Sequence, residues 1–372
     1  MFDFNVTAIT QFGIIICAVF YFCVIGFYWK PATTLRIASN PYRVPVLFTL
    51  VLIFSIISWY NGDWIHYLID VKEYRYVRET GLEEFYDWII VKTNSNYLFF
   101  RTIVWGLALT FFTLSLREFK VDPFKSLFFL FAIFINYFDY SRSSLGMATY
   151  FLGIGVLFGE EKLVIKLLGV AILLCSYFFH RSMVIPICLT PICFIPFDKK
   201  TVVIIIVLVI VLFGTLKGYF NELLEELMKS DDEDIAYRAQ IYGEDKREAI
   251  VSGSFIGQTV GYWKNSVFYV VYGMITYFWF KYQLYKYLPI RYKALYSVAT
   301  GLLITAIILY LFDTGHAAIY YRTLYMIYIP LTILSVCFYS RGIFKPNVYR
   351  FLFYYCGGYV AFEFIYRSWI GA

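Results

Sequence analysis

The sequence predicts an all-α membrane protein, a polytopic helical bundle of about 12 transmembrane helices. Of its 372 residues, 60% are apolar, only 16% are charged and 22% are aromatic. A soluble globular chain is about half apolar and about a quarter charged, whereas aromatic residues collect where membrane helices meet the lipid–water boundary. The composition therefore excludes a soluble enzyme and a secreted disulfide scaffold. It also excludes a nucleic-acid partner, because the net charge of +6 is spread through short loops.

The predicted spans are the apolar runs that lie between polar breaks, since a bilayer core about 30 Å thick requires about 20 apolar residues per helix. The runs cover residues 12–29, 44–60, 97–116, 124–138, 144–158, 163–179, 182–197, 201–216, 263–280, 294–312, 320–339 and 351–366. The seventh contains Pro186, Pro191 and Pro196, so a broken or re-entrant element is the alternative to a full crossing.

Basic residues concentrate in alternate connections between the predicted spans, including 30–43, 117–125 and 281–293. Cytoplasmic loops of membrane proteins carry an excess of Lys and Arg. This pattern places both termini and the two longest loops, about 61–96 and 217–262, on the extracytoplasmic side. We expect residues 1–372 to form a single integral membrane domain.

Each long loop contains one amphipathic stretch. These are LEEFYDWII at 82–90 and YFNELLEELMK at 219–229, and both repeat apolar residues at helical spacing. Both predict helices that lie along the membrane surface. Packing of the same apolar faces against the bundle is the alternative.

Ionisable residues stand at the predicted outer ends of the spans, where charge is costly to bury. They are Asp63, His66, Arg101, Asp139, Arg142, His180, Arg181, Asp313, His316, Arg322 and Arg367. Arginine presents a planar fork that pairs with phosphate, and histidine is suited to accept a proton from a sugar hydroxyl. The pattern favours a lipid-linked pyrophosphate as ligand. For Arg101, a side chain that only extends to the headgroups is the alternative.

Motifs for nucleotide or zinc chemistry are absent from the sequence, which lacks a P-loop, GxGxxG, HExxH and paired CxxC motifs. ATP hydrolysis and zinc chemistry therefore lack support, and we predict no cofactor and no metal site.

Three stretches of the sequence carry further patterns. YNGDWIHYLIDVKEY at 60–74 contains an Asp-x-x-x-Tyr pattern, with Asp63 and Tyr67. Residues 141–187 open with an Arg, Arg142, and close with a Phe-His-x-Ser type signature that includes His180 and Ser182. YYRTLYMIYIPLTIL at 320–334 is a late apolar run that begins near Arg322. In this order, the three stretches resemble the EpsG family of bacterial polysaccharide polymerases, a Wzy-type group that makes O-antigen or capsule.

The resemblance implies a metal-independent glycosyltransferase of the GT-C class in the bacterial inner membrane, with its active site facing outward. It would transfer a growing glycan from undecaprenyl pyrophosphate to an incoming lipid-linked repeat unit. His180 and Arg142 are the predicted catalytic residues. The predicted substrate-binding residues are Arg322, Arg181, Arg101, Asp63, Tyr67, Asp139 and His316. A chain-length-regulating co-polymerase and a flippase are the implied protein partners.

Three other functions are compatible with the same sequence features. An O-antigen ligase uses the same donor and also carries outer arginines and a histidine. A transporter or flippase of lipid-linked sugars would place polar residues near the bilayer midplane, whereas here they crowd one face. An acyltransferase would need a histidine accessible from the cytoplasm, and all three histidines are predicted outside.

Overall fold

The computed structural model describes residues 71, 84–138, 141–159, 162–195, 255–311, 317–360 and 362, together with isolated positions between 198 and 229. Within these residues every regular element is helical, which confirms the all-α prediction for this part of the chain. The predicted spans at 12–29 and 44–60 lie outside the described residues, and the span at 201–216 is described only at isolated positions.

The chain divides into two compact units. The first unit comprises residues 1–187 and 332–372, and the second comprises residues 188–331.

The first unit contains five helices that precede the proline-rich segment. They are α1 (Glu84–Lys92), α2 (Tyr97–Glu118), α3 (Pro123–Phe138), α4 (Ser141–Leu157) and α5 (Leu163–Phe179). Helices α2 to α5 coincide within a few residues with the apolar runs predicted at 97–116, 124–138, 144–158 and 163–179. Chain hydropathy alone therefore locates these helices.

The proline-rich segment is broken into three short pieces. A 3₁₀ turn at Arg181–Met183 leads into α6 (Val184–Leu189), and a second 3₁₀ stretch covers Thr190–Phe194. Pro186 and Pro191 lack the amide hydrogen that a continuous helix requires. The helix is therefore broken within this segment, as the prolines indicate, and its crossing of the bilayer stays a prediction.

The rest of the described chain is also helical. Its elements are α7 (Phe255–Lys281), α8 (Leu284–Tyr287), α9 (Ile290–Leu311), α10 (Ala317–Tyr325), α11 (Tyr328–Ser340), α12 (Pro346–Leu352) and a π-helical turn at Phe353–Gly357. The run predicted at 320–339 is thus interrupted near Met326.

Three segments of the described chain are long and apolar enough to cross a bilayer: Phe99–Glu118, Ile290–Leu309 and Tyr320–Ser340. Two shorter apolar helical segments are Leu163–Phe179 and Arg181–Phe194. These segments identify a membrane protein.

Glycines allow α4 and α5 to pack backbone against backbone. A Cβ added at Gly153 would lie 2.6 Å from the amide nitrogen of Leu173, and one at Gly169 would lie 2.6 Å from that of Leu157. The residue numbers in the two pairs have the same sum, as expected for an antiparallel hairpin. Small residues permit such close approach in membrane helices.

The opposite side of α4 packs against α2. A Cβ added at Gly155 would lie 2.8 Å from Cβ of Glu118 and 3.2 Å from the ring of Phe119. These contacts pair the C-terminal ends of the two helices, so α2 and α4 run parallel. The N-terminal ends of α2 and α4 are therefore also at a common end of the unit.

Helix α1 buries its apolar face in the first unit. Tyr86, Ile89 and Ile90 are fully buried, whereas Trp88 on the other face is 58% exposed. The aromatic ring of Phe85 meets that of Phe179 at 4.8 Å between centroids. The first long loop therefore contains the predicted helix, and its apolar face packs against the bundle.

In the second unit, α7 and α9 pair through a stack of aromatic rings and through hydrogen bonds between tyrosine and threonine side chains. The ring of Trp279 stacks on that of Tyr296 at 4.1 Å between centroids. The Tyr272 hydroxyl lies 2.7 Å from Thr300 Oγ1, and the Tyr296 hydroxyl donates to Thr276 Oγ1 at 3.2 Å. Hydrogen bonds of this kind hold helices together where no water competes.

The close packing of α4 and α5 at Gly153, compared with the open space at Gly106, predicts different effects for two Gly→Ala substitutions. We expect Gly153→Ala to destabilise the protein by about 1–3 kcal/mol, because the methyl group meets a helix backbone that must move. A Cβ at Gly106, in α2, would meet no atom within 4 Å. Gly106→Ala should therefore be neutral or stabilise by up to about 1 kcal/mol through helix propensity. Thermal unfolding of the purified protein in nanodiscs measures the stability of both variants. Equal transition temperatures for the two variants would contradict the close backbone contact between α4 and α5.

Candidate functional site

His180 occupies the junction between α5 and the broken segment. Its backbone is extended, with φ −163° and ψ 121°. Its amide donates to the carbonyl oxygen of Ser176 at 3.2 Å, and its own carbonyl oxygen accepts from the Met183 amide at 2.9 Å. The histidine is thus fixed by the last turn of one helix and the first turn of the next, and its side chain is half-buried.

The Cβ of His180 lies against α4 at Gly146. A Cβ added at Gly146 would be 3.2 Å from Cβ of His180 and 2.9 Å from Cγ of Met183. The pair Gly146 and His180 continues the antiparallel register set by Gly153 and Gly169 further along the hairpin. A side chain at position 146 would therefore displace the histidine.

Arg142 precedes Gly146 by four residues on α4, and residues at this spacing share a helix face. The face of α4 that meets His180 therefore also carries Arg142, one turn nearer the helix start. The hairpin brings together the two residues predicted to be catalytic, which are 38 positions apart in the sequence.

Tyr86 of α1 contacts both partners of this pair. Its hydroxyl donates to the carbonyl oxygen of Phe179, the residue before His180, at 2.7 Å. The guanidinium carbon of Arg142 lies 5.8 Å from the centroid of the Tyr86 ring, within the range of a cation–π interaction. Tyr86 is fully buried.

Arg101 is buried in the first unit and only 1% exposed. Its guanidinium carbon lies 5.9 Å from the Tyr97 ring centroid and 6.0 Å from the Trp105 ring centroid. The alternative in which Arg101 merely extends to the headgroups is wrong, because that position would leave the side chain exposed. The adjacent Phe100 ring lies 6.2 Å from the Tyr86 ring, so Arg101 and Arg142 belong to the same end of the unit.

Arg181 and Ser182 follow His180 and have different environments. The Arg181 side chain is exposed. The Ser182 hydroxyl is buried and has no hydrogen-bond partner among the residues that the structure describes. Arg181 is therefore accessible from outside the unit, beside the half-buried histidine.

Arg322 belongs to the second unit, where it is exposed on α10. The same helix carries tyrosines that contact other rings and hydroxyls: the Tyr321 and Tyr325 ring centroids are 5.9 Å apart, and the Tyr320 and Tyr269 hydroxyls are 3.1 Å apart. Asp63, Tyr67, Asp139 and His316 lie outside the described residues. That these four residues and Arg322 join the site stays a prediction.

The described side chains at this end of the first unit include two arginines, a histidine and several aromatic rings. Guanidinium groups and a histidine suit an anionic ligand with hydrogen-bond acceptors. Among the described residues, no group of three His, Cys, Asp or Glu side chains is placed to hold a metal ion.

The helical fold and its apolar segments define the class of protein, an all-helical membrane protein with a candidate anion site at one end of a helix hairpin. The family model of the EpsG family matches residues 42–370, nearly the whole chain. The chain belongs to the EpsG family. No curated protein and no solved structure matches it.

The sequence pattern did not identify Tyr86 as a site residue. It placed Tyr86 only in the apolar stripe of a loop helix. A signal was present, because Tyr86 carries a hydroxyl on the face that is otherwise apolar, and a buried Tyr hydroxyl requires a partner. The identity of that partner, a carbonyl 93 positions away, depends on the tertiary fold.

The contact between α4 and His180 predicts that two introduced cysteines, one at position 146 and one at position 180, form a disulfide. In a background with Cys175→Ala and Cys188→Ala, we expect Gly146→Cys and His180→Cys to cross-link under mild oxidation. Their Cβ atoms would lie close to the spacing of about 3.5–4.5 Å found in disulfides. Peptide mass spectrometry after thiol blocking measures the yield.

The matched control pairs Gly106→Cys with His180→Cys. A Cβ at Gly106 meets no atom within 4 Å, so this pair should stay reduced. Equal cross-linking of the two pairs would disprove the register described for α4 and α5.

Proposed function

We propose that this chain is a polysaccharide polymerase that acts on undecaprenyl-pyrophosphate-linked repeat units at the outer face of the bacterial inner membrane. Membership of the EpsG family supports the polymerase function. The structural observation that carries the proposal is the placement of His180 beside the face of α4 that bears Arg142, where Arg101 is also buried.

The reaction would be a glycosyl transfer. A hydroxyl at the non-reducing end of the incoming unit attacks the anomeric carbon of the growing chain. A new carbon–oxygen bond forms, and the bond from that carbon to the pyrophosphate oxygen breaks. The pyrophosphate leaves with the electron pair, and His180 accepts the hydroxyl proton as general base. General base catalysis by a positioned histidine contributes about 10²- to 10⁴-fold to a rate.

Arg142 would bind the pyrophosphate and stabilise the negative charge that develops as it leaves. The contact between its guanidinium and Tyr86 is compatible with this role, because a guanidinium can stack on a ring and still donate hydrogen bonds through its edge. Arg101 would supply a second positive charge. An ionisable residue inside a membrane bundle is rare enough to indicate function.

The lipid tail of the donor would lie against α5. The residues of α5 that face away from α4 are large and exposed, including Leu167, Leu174 and Phe178. An exposed apolar helix that ends at His180 suits a substrate whose tail remains in the bilayer and whose headgroup enters the site.

The proposals for the remaining parts of the chain and for its partners rest on the sequence and the family resemblance. The working unit would be one membrane domain of residues 1–372 with about 12 transmembrane helices, similar to GT-C glycosyltransferases. Asp63, Tyr67, Asp139, His316, Arg181 and Arg322 would complete the substrate site. A co-polymerase that regulates chain length and a flippase are the expected partners. The enzyme would need no metal or cofactor.

Of the three alternatives, the ligase and the transporter use the same lipid-linked donor but predict different products. A ligase would transfer the glycan to an acceptor other than the repeat unit, and a transporter would move the lipid-linked unit without changing it. The family match favours polymerisation over both.

The test is a polymerisation assay with the purified protein in nanodiscs and the lipid-pyrophosphate-linked repeat unit of its own cell. We expect a ladder of repeat lengths from the wild type. His180→Ala should lower the rate about 10²-fold or more, in line with loss of a general base, and Arg142→Lys should lower it because the two-point contact with phosphate is lost.

The matched control is Arg117→Lys, an exposed arginine at the opposite end of α2. It should leave the ladder unchanged. Unmodified substrate with the wild-type protein would exclude a polymerase. A normal ladder from His180→Ala would exclude His180 as the base.

A further inference from the structure

We propose that Tyr86 is a positioning residue that holds Arg142 and the backbone of His180 in one geometry. The inference rests on the proposed function, since it concerns the two residues placed at the centre of the reaction. Neither the family match nor the sequence pattern assigns Tyr86 a role.

The hydroxyl of Tyr86 fixes the peptide that leads into His180. Phe179 is the last residue of α5, and the last four carbonyls of a helix have no partner within the helix. The Tyr86 hydroxyl donates to the Phe179 carbonyl oxygen at 2.7 Å. Because the same peptide group contains the His180 amide nitrogen, this bond limits the rotation that would carry the histidine away from Gly146.

The ring of Tyr86 supports the guanidinium of Arg142. The guanidinium carbon lies over the ring at 5.8 Å from its centroid. Arginine has many rotamers, so a flat partner on one side reduces the conformations available before substrate binds. Such preorganisation lowers the entropic cost of binding the pyrophosphate.

Tyr86 is itself held firmly enough to act as a support. Its ring meets the Phe100 ring at 6.2 Å and the Phe85 ring at 5.3 Å between centroids. Phe85 contacts Phe179 as well, so α1 reaches the end of α5 through two neighbouring side chains. Because Tyr86 is itself held in place, its contacts restrict the positions of the Arg142 guanidinium and the Phe179 carbonyl.

Only a tyrosine supplies both contacts from this position. A phenylalanine would retain the ring but lose the hydrogen bond, and a leucine would lose both. The two functions can therefore be separated by substitution.

The experiment compares Tyr86→Phe and Tyr86→Leu with the matched control Tyr150→Phe, using the polymerisation assay on the full chain. Tyr150 is likewise buried, and its hydroxyl donates to a backbone carbonyl, that of Pro186, at 2.9 Å. Tyr150→Phe and Tyr86→Phe thus each remove a hydrogen bond from a tyrosine hydroxyl to a backbone carbonyl. The readouts are kcat, KM for the lipid-linked donor, and the transition temperature.

We expect Tyr86→Phe to lower kcat about tenfold with KM near the wild-type value, because the ring still supports Arg142. Tyr86→Leu should lower kcat and also raise KM about three- to tenfold, in line with loss of a cation–π contact. Tyr150→Phe should lower the transition temperature as much as Tyr86→Phe does, while kcat and KM stay near wild type.

A second measurement does not depend on activity. In the cross-linking background, adding Tyr86→Phe should slow disulfide formation between Gly146→Cys and His180→Cys, and adding Tyr150→Phe should not. Equal cross-linking rates with both additions, or equal kcat and KM in Tyr86→Phe and Tyr150→Phe, would overturn the proposal. Absence of polymer from the wild type would overturn the proposed function instead, and the cross-linking rates would still decide whether Tyr86 positions His180.

Discussion

The close contact between the backbones of α4 and α5 is the constraint on which the candidate site depends. Gly153 and Gly169 leave no room for a Cβ, so the two helices meet at one register. That register carries forward to Gly146, where the Cβ of His180 lies against α4 one turn from Arg142. A shift of one residue along this interface would rotate the histidine away from the arginine, because successive residues on a helix point in different directions. Steric exclusion between the two backbones therefore sets the distance between His180, the proposed base, and Arg142, the residue proposed to bind the pyrophosphate.

Aromatic rings lie beside two described arginines of the candidate site. Arg101 lies near Tyr97 and Trp105, and Arg142 lies over Tyr86. A ring attracts a guanidinium without neutralising its charge, and its flat face favours a stacked orientation of the guanidinium plane. These rings therefore help to fix the orientation of the two arginine side chains.

Much of the fold could be predicted from hydropathy, but the contacts within it could not. The apolar runs located α2 to α5 within a few residues, and the prolines indicated the break in 182–197. Hydropathy does not predict the environment of Arg101. The apolar run places this residue in a span but does not say which helix face it occupies, and its burial follows from the packing of the helices. Tyr86 is missed for a related reason, because its partner Phe179 is brought near by the fold of the chain and not by local spacing. The position of Arg142 and His180 at one end of the α4–α5 hairpin could be predicted, because two consecutive antiparallel helices return the chain to the same end.

The most direct test of the account is the binding of a polyprenyl pyrophosphate to the purified protein, measured by native mass spectrometry in the absence of an acceptor. We expect a bound lipid whose occupancy falls at least tenfold in Arg142→Gln and stays unchanged in Arg117→Gln, an equal loss of charge at the opposite end of the first unit. Polyprenyl monophosphate should bind more weakly than the pyrophosphate to the wild type. Equal occupancy in the two variants would contradict the assignment of the pyrophosphate to the end of α4 that carries Arg142.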